Sequence, residues 1–170
     1  AWLVGYALTS LLIAAVPVAG LATGLAVALA SAPVGVGVGR LLGHALLWLP
    51  AATLVGFAVT ALLVLGLTRL FGLFVREGHV PVHSGRGLAV WATIRLLDEA
   101  RHWLYPLYAG WFTTVWLRLL GAEVGRDAEA STVLLIPKLA SIGEAAFLAD
   151  DTLLGGYELG GGWLRVGRTR

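Results

Sequence analysis

The chain has 170 residues, of which 58% are hydrophobic and 13% are charged, and its formal net charge at pH 7 is +2. Ordinary soluble domains carry about 25% charged residues, so water cannot be the only solvent for this sequence. The small, mixed charge argues against the basic surface that nucleic-acid binding requires. Because there is no cysteine, disulfides, a thiolate nucleophile and a zinc–thiolate site are excluded, and we predict no metal site.

Two long apolar segments at the beginning of the chain predict membrane-spanning helices. The first covers residues 2–30 and contains Pro17 as an expected kink, and the second covers residues 45–68. About 20 apolar residues cross the hydrocarbon layer of a bilayer, so each segment accommodates one span. We therefore predict a two-helix transmembrane segment over residues 1–76, with buried helices of a large soluble core as the alternative.

The basic residues beside these segments indicate an orientation. The connection 31–44 contains a proline, alternating glycines and Arg40, whereas three arginines follow the second span, at Arg69, Arg76 and Arg86. Positive charge tends to remain on the cytoplasmic side of a membrane. We therefore expect a multi-pass protein of the inner, cytoplasmic membrane, with the connection outside and the later residues inside. The chain lacks an initial Met and ends without a closing element, so we expect a fragment of a longer protein.

Residues 77–120 predict a cytoplasmic loop followed by helices at the membrane surface. Residues 78–87 have the glycine and proline content of a loop, and 88–102 have the apolar period of an amphipathic helix with oppositely charged side chains three and four residues apart. Residues 103–117 are uncharged but short for a span, so we expect interfacial helices. The alternatives are a re-entrant hairpin and core helices. The expected interfacial aromatics are Trp103, Tyr105, Tyr108, Trp111 and Trp116.

A six-residue period runs through residues 121–170. Small or aliphatic residues occur at positions 124, 130, 136, 142, 148, 154, 160 and 166, and small residues follow several of them, as at Gly143, Ala149, Gly155 and Gly167. This period is typical of a hexapeptide-repeat β-helix, in which each face places an aliphatic side chain inside and then turns. We predict the start of a truncated left-handed parallel β-helix, with a loop or distorted corner where Glu158 and Gly160 break the register.

Several short runs, taken together in order and spacing, resemble a known family. They are Val82-His83-Ser84, then LRLLGAEVG at 117–125, EASTV at 129–133, PKL at 137–139, FLADDT at 147–152 and YELGGGW at 157–163. These runs resemble the C-terminal membrane region of nonribosomal peptide synthetases of the poly-ε-lysine synthetase type. The resemblance covers residues 70–170, and less specifically the two spans before them.

The resemblance implies a synthetase whose adenylation and carrier domains lie outside this chain and whose further transmembrane and β-helix repeats alternate. Its acyltransferase-like modules would join an amino-acid thioester, held on phosphopantetheine of the carrier domain, to an amine. A second interpretation is a membrane-anchored hexapeptide acyltransferase that uses coenzyme A or a carrier thioester. A third is a non-catalytic scaffold that docks the synthetase to the lipid bilayer.

Amide formation from a thioester requires a base that removes a proton from the attacking amine, and donors for the developing oxyanion. The predicted catalytic residues are His83, Ser84 and Asp151, and the predicted substrate-binding residues are Asp150, Tyr157 and Glu158. Each site has a structural alternative: a loop that caps the following helix for His83 and Ser84, a solvated corner for the aspartates, and a covering loop for Tyr157 and Glu158.

Overall fold

The computed structural model describes residues 2–30, 35 and 37–170. The chain divides into two compact units, one formed by Leu12–Leu63 and the other by the residues up to Leu11 together with Val64–Arg170. Two helices begin the chain, α1 (Trp2–Ala30) and α2 (Val38–Gly72). Both are long and apolar enough to cross a membrane.

The first predicted helix has the expected bounds, with Pro17 inside α1. The second is longer than predicted, because α2 begins at Val38 and includes the last part of the segment expected as a connection. Residues 31–34 and 36 of that connection lie outside the described residues. Arg40, Leu41 and Leu42 are good helix formers and offset the glycines at this end of α2.

Small residues bring α1 and α2 into backbone contact within the unit Leu12–Leu63. A Cβ atom added at Gly20 would lie 2.7 Å from the carbonyl oxygen of Gly56, and one added at Gly24 would lie 2.6 Å from that of Ala52. Small residues at such crossings let helices in lipid pack by van der Waals contact. Large aliphatic side chains of the same unit remain exposed, including Leu21, Leu25, Leu54 and Leu62. This distribution suits an apolar solvent, because exposed leucines in water forgo their transfer free energy.

The other unit contains three further helices: α3 (Gly85–Trp103), α4 (Tyr105–Tyr108) and α5 (Thr113–Leu120). The amphipathic helix predicted over 88–102 is confirmed, and its expected charge pairs form between Arg95 and both Asp98 and Glu99. For two of the five aromatics predicted at the membrane interface, the structure contradicts the prediction. Tyr108 and Trp116 are buried and pack edge to face, with ring centroids 6.2 Å apart, because α4 and α5 fold against the strands that follow.

The strand-rich region after α5 contains three parallel strand pairs. They join β2 (Glu123–Val124) to β5 (Ser141–Ile142), β3 (Glu129–Ala130) to β6 (Phe147–Leu148), and β4 (Leu134–Leu135) to β7 (Leu153–Leu154). Paired residues are 18 positions apart in the first two pairs and 19 in the third. A short 3₁₀ helix at Pro137–Leu139 follows β4.

The turns between these strands use left-handed residues that are not glycine. Positive φ angles occur at Asp127, Thr132, Ala145 and Asp151, each one or more positions away from the small residues predicted as corners. Aspartate tolerates this conformation better than most residues do, which accounts for two of the four. Among the glycines, Gly125 has a steric role, since a Cβ there would lie 2.6 Å from the backbone nitrogen of Glu144.

An antiparallel sheet interrupts the parallel pairs. Strands β8 (Tyr157–Gly160) and β9 (Trp163–Val166) form a hairpin, and β1 (Gly78–Pro81) pairs with the outer side of β9. Gly161 and Gly162 both have positive φ, as a two-residue hairpin turn with the right twist requires. The loop predicted over 78–87 therefore contains a strand, and the distorted corner predicted at Glu158 and Gly160 is a hairpin.

One buried cluster joins α3, this sheet and the 3₁₀ segment that follows β4. Its members are all apolar: Val75, Val80, Ala89, Val90, Ile136, Leu139, Leu164 and Val166. Val82, Ile94 and Tyr157 pack at its edge. The cluster holds the exposed side of α3 in a defined position over the hairpin, and the candidate functional site lies there.

Candidate functional site

A groove of about 480 Å³ lies between α3 and the β8–β9 hairpin. We call it the α3 groove, and its wall is mainly aromatic and aliphatic, with Tyr6, Val82, Trp91, Ile94, Tyr157, Leu159 and Leu164 among the residues that line it. Tyr6 and Trp91 meet edge to face with centroids 4.9 Å apart. The Tyr6 hydroxyl donates a hydrogen bond to the carbonyl oxygen of Val82 at 2.9 Å. These contacts fix the wall at one end of the groove, and the volume of the groove lies within the range of typical small-molecule sites.

The polar edge of the α3 groove is formed by Arg95 and Asp98. The Arg95 guanidinium contacts Glu99 at 2.5 Å and approaches Asp98 at 4.0 Å. These side chains follow one face of α3, since residues three and four apart are neighbours on a helix. The groove thus combines an apolar wall with a carboxylate at its rim, an arrangement that can hold an uncharged chain ending in an ammonium group.

Asp98 also belongs to a network that reaches the corner of the strand region. One Arg101 nitrogen contacts the Asp98 carboxylate at 2.5 Å, and the other donates to the Thr132 carbonyl at 2.8 Å and contacts Asp151 at 3.0 Å. The backbone N–H of Asp151 donates to the Thr132 hydroxyl at 2.8 Å. Only 14% of the Arg101 side chain is exposed. Such a fork of charge-assisted hydrogen bonds fixes geometry as well as adding stability.

Tyr108 lies next to this network, and its phenol has a raised pKa. The Thr132 backbone N–H donates to the Tyr108 carbonyl oxygen at 2.9 Å. Burial raises the pKa of the Tyr108 phenol to about 12, although the neighbouring Trp116 indole and the positive charge of Arg101 oppose the rise. The phenol is therefore neutral throughout the physiological range, and its role is to pack under the corner.

The predicted pair His83 and Ser84 lies at the start of α3. Ser84 caps the helix, because its Oγ accepts a hydrogen bond from the Gly87 backbone N–H at 3.0 Å and donates to the Pro81 carbonyl at 2.6 Å. His83 is exposed and directly follows Val82 of the groove wall. His83 is thus the sequence neighbour of a groove residue, while the serine hydroxyl is engaged in capping.

Among the predicted substrate-binding residues, only Tyr157 lines the α3 groove. Glu158 is exposed and pairs with Arg165 at 3.4 Å on the neighbouring strand. Asp150 and Asp151 form a turn between β6 and β7, where both are exposed, and Asp151 contacts Arg101. Their placement on a flat β face was thus not found, and the corner brings only Asp151 into the network.

Three contributors to the site were not predicted from the sequence: Tyr6, Trp91 and the Asp98–Arg101 pair. Tyr6 lies in an apparent membrane span, so nothing in its local sequence points to residues near 82. Arg101 carried a usable signal, because it follows Asp98 by three residues on the side of α3 that is otherwise buried. A charged residue on an apolar helix face usually has a buried partner.

Comparison with known proteins supports a relationship to an amino-acid polymer synthetase. The chain is 31% identical over 126 residues to the delta-poly-L-ornithine synthetase of Acinetobacter baumannii (strain AB307-0294). The match covers 74% of the chain, which spans 9% of the length of that curated relative. No protein-family profile matches the chain, and no solved structure matches it. The resemblance to this enzyme class inferred from the sequence is therefore supported, while the position of the chain within such an enzyme is a separate question.

Proposed function

We propose that the chain is part of the membrane region of a nonribosomal peptide synthetase and contributes to amide-bond formation between an amino-acid thioester and an amine. The similarity to a poly-ornithine synthetase over 74% of the chain carries this proposal. Two candidate membrane helices followed by parallel strand pairs agree with the order that the synthetase resemblance implies. Adenylation and carrier domains of the same enzyme would supply the activated amino acid.

The strand-rich region is proposed to be the beginning of a left-handed, hexapeptide-repeat β-helix of the acyltransferase type. Pairing residues 18 apart is what three six-residue faces per turn require. The predicted inward positions support this assignment, because Ile136, Ile142 and Val166 are buried and only Gly160 is exposed, inside the hairpin. After the hairpin, Thr169 pairs in parallel with Ala140. The hairpin would therefore be an insertion within the second turn.

The α4–α5 region is proposed to lie against the inner surface of the cytoplasmic membrane. Val115 and Leu119 form the exposed apolar side of α5, and Phe112 and Trp111, directly before the helix, are also exposed. Arg69 in the last turn of α2 donates through Nε to the Leu119 carbonyl at 2.7 Å, which ties this apolar side to the end of a candidate span. Amphipathic helices with exposed aromatics bind the boundary between headgroups and acyl chains.

Within this proposal, the α3 groove holds the reacting groups. The substrate ammonium first gives one proton to a base, and the free amine nitrogen then attacks the thioester carbonyl carbon. The C–N bond forms, the C–S bond breaks, and the second proton of the nitrogen passes to the departing thiolate. We assign the removal of the first proton to His83, which is exposed and directly follows the groove residue Val82 in sequence, and the binding of the substrate ammonium to Asp98. Arg101 and Arg95 keep the Asp98 carboxylate oriented toward the rim. A positioned base contributes roughly 10² to 10⁴-fold in rate.

We propose that the carrier arm binds in the same groove. Phosphopantetheine supplies the thioester that is consumed in amide formation. Its long, uncharged segment would lie along the apolar wall formed by Trp91, Ile94, Tyr157 and Leu159, because small-molecule sites are lined mainly by apolar and aromatic side chains. Coenzyme A carries the same segment, so the wall alone does not favour one carrier over the other.

The test uses the intact synthetase supplied with its amino acid and ATP, with product and carrier-bound aminoacyl thioester measured by mass spectrometry. We expect Asp98→Asn and Tyr157→Leu to lower product formation roughly tenfold or more, while thioester loading stays normal. Glu144→Gln and Phe147→Leu are matched controls, because both residues are exposed and remove a carboxylate or an aromatic ring away from the groove. His83→Gln tests the base in the same assay.

The outcomes separate the three candidate functions. Normal loading with lost product in the groove variants supports amide formation in the α3 groove. Unchanged product in all three groove variants would overturn the assignment and leave the scaffold interpretation. Product formed from coenzyme A thioesters without a carrier domain would support the membrane-anchored acyltransferase instead.

A further inference from the structure

A second cavity, of about 240 Å³, lies where α2 ends. We call it the α2 cavity. Most of its wall is apolar and includes Leu73, Leu120 and Ile136, while Thr68, Arg69 and Lys138 provide polar groups. Thr68 is also the residue at which the apolar run of α2 ends. If α2 crosses the bilayer as proposed, the cavity is at the level of the lipid headgroups.

The hydroxyl of Thr68 lacks the hydrogen bond that other helical threonines make. Thr60 and Thr93 donate to the carbonyl oxygen four residues earlier, at 2.9 and 2.8 Å. Thr68 is only 2% exposed, and its Oγ1 has no hydrogen-bond partner among the residues that the structure describes. An unsatisfied buried hydroxyl is unfavourable, so an acceptor inside the cavity that Thr68 lines would remove this cost.

The two cations of the α2 cavity have no acidic partner in the part of the chain that is described. Lys138 donates through Nζ to the Gly72 carbonyl at 2.7 Å, and Arg69 donates to the Leu119 carbonyl at the end of α5. No aspartate or glutamate lines the cavity. The C-terminal ends of α2 and α5 each carry about half a negative charge, so roughly one positive charge of Arg69 and Lys138 remains uncompensated. Each cation retains further N–H groups for a ligand.

We propose that the α2 cavity binds a phosphate ester with an apolar tail, as found in an anionic phospholipid. A singly charged phosphodiester matches the remaining charge, accepts a hydrogen bond from Thr68, and leaves its acyl portion against Leu73 and Ile136. A free phosphate shares the anion but has nothing to place on the apolar wall. This inference depends on the proposed membrane insertion, and it adds a specific lipid site to the non-specific surface of α5.

The experiment measures lipid binding to the intact protein, delipidated in detergent and titrated separately with phosphatidylglycerol, phosphatidylcholine and inorganic phosphate. We expect phosphatidylglycerol to bind roughly tenfold or more tightly than the other two, as a charge-assisted contact requires. Thr68→Val and Lys138→Gln should each weaken phosphatidylglycerol binding several-fold. Arg126→Gln is the control, because Arg126 is an 85% exposed cation away from the cavity, and it should leave binding unchanged.

Thr68→Val also protects the test against a folding artefact. It conserves the side-chain shape and removes the unpartnered hydroxyl, so folding should be unaffected or improved. Equal binding of both phospholipids, or variants indistinguishable from Arg126→Gln, would overturn the lipid site while leaving membrane insertion intact. Phosphate binding as tight as phosphatidylglycerol binding would exclude the role of the tail. Protein that stays dispersed without detergent would overturn both this site and the proposed membrane role.

Discussion

Replacing Arg101 with methionine should loosen the corner of the strand region. Arg101 is the one side chain that joins α3 to both Thr132 and Asp151 among the described residues. Methionine keeps much of its apolar length but none of its donors. The Thr132 carbonyl, in a buried residue, then loses its charged partner, and Asp98 loses the contact that orients it toward the α3 groove.

The size of the effect follows from the exposure of each partner. A hydrogen bond from a charged donor to a buried carbonyl contributes about 1.5–3 kcal/mol. The partly exposed Asp98 pair adds up to roughly 1 kcal/mol, and Asp151, which is 81% exposed, adds little. The free energy of opening the corner should therefore fall by about 2–4 kcal/mol, which corresponds to a 30- to 1000-fold faster amide exchange.

Hydrogen exchange followed by mass spectrometry measures this opening directly. The informative amides are those of Thr132, which donates to the Tyr108 carbonyl, and Asp151, which donates to the Thr132 hydroxyl. Arg126→Met provides the matched control, since the Arg126–Glu144 pair is exposed and should contribute under about 1 kcal/mol. Exchange in Arg101→Met that equals exchange in the control would refute the reasoning.

Three further predictions concern packing and ionisation. Gly56→Ile should force α1 and α2 apart and lower thermal stability in detergent by about 1–3 kcal/mol. Gly66→Ile is the control, because there is open space around Gly66. Equal unfolding midpoints for the two variants would contradict the backbone contact between the helices. Gly125→Ala should destabilise the parallel strand pairs by a similar amount, as measured by urea unfolding. Gly143→Ala, at a glycine that also has open space around it, should leave the urea midpoint unchanged. Because the pKa of Tyr108 rises from 10.0 to about 12, the folded state holds this proton longer than the unfolded state does. Stability should then decrease between pH 10 and 12 by about 1.4 kcal/mol per pH unit. Tyr108→Phe should abolish that decrease, and an unchanged pH dependence would show that the phenol is not buried.

The long helices and the region of short strands could be predicted because their signals are repetitive. An uncharged run long enough to cross a bilayer specifies α1 without knowledge of its neighbours. The amphipathic period of α3 and its charge pairs are similarly local, since they depend on residues three and four apart. The later end of α2 and its earlier start differ from prediction because helix ends depend on local capping and on tertiary contacts.

Most of the features that sequence reasoning missed depend on distant residues. The hairpin Tyr157–Val166 belongs to a three-stranded sheet, in which β1, about 80 residues earlier in the chain, pairs with its second strand. Tyr108 and Trp116 have the composition of interfacial aromatics, and only the folding of α4 and α5 onto the strands buries them. The α3 groove likewise requires Tyr6 and Tyr157, which are far apart in sequence, to line the same groove.

Cysteine labelling in intact cells tests the central claim most directly. The claim is that α1 and α2 cross the membrane and hold the strand region on its inner side. The chain has no cysteine of its own, so Gly37→Cys and Arg126→Cys each introduce a single reporter within it. With a membrane-impermeant maleimide, position 37 should be labelled in intact cells and position 126 only after lysis. Labelling of both positions before lysis, or of position 126 alone, would contradict the account.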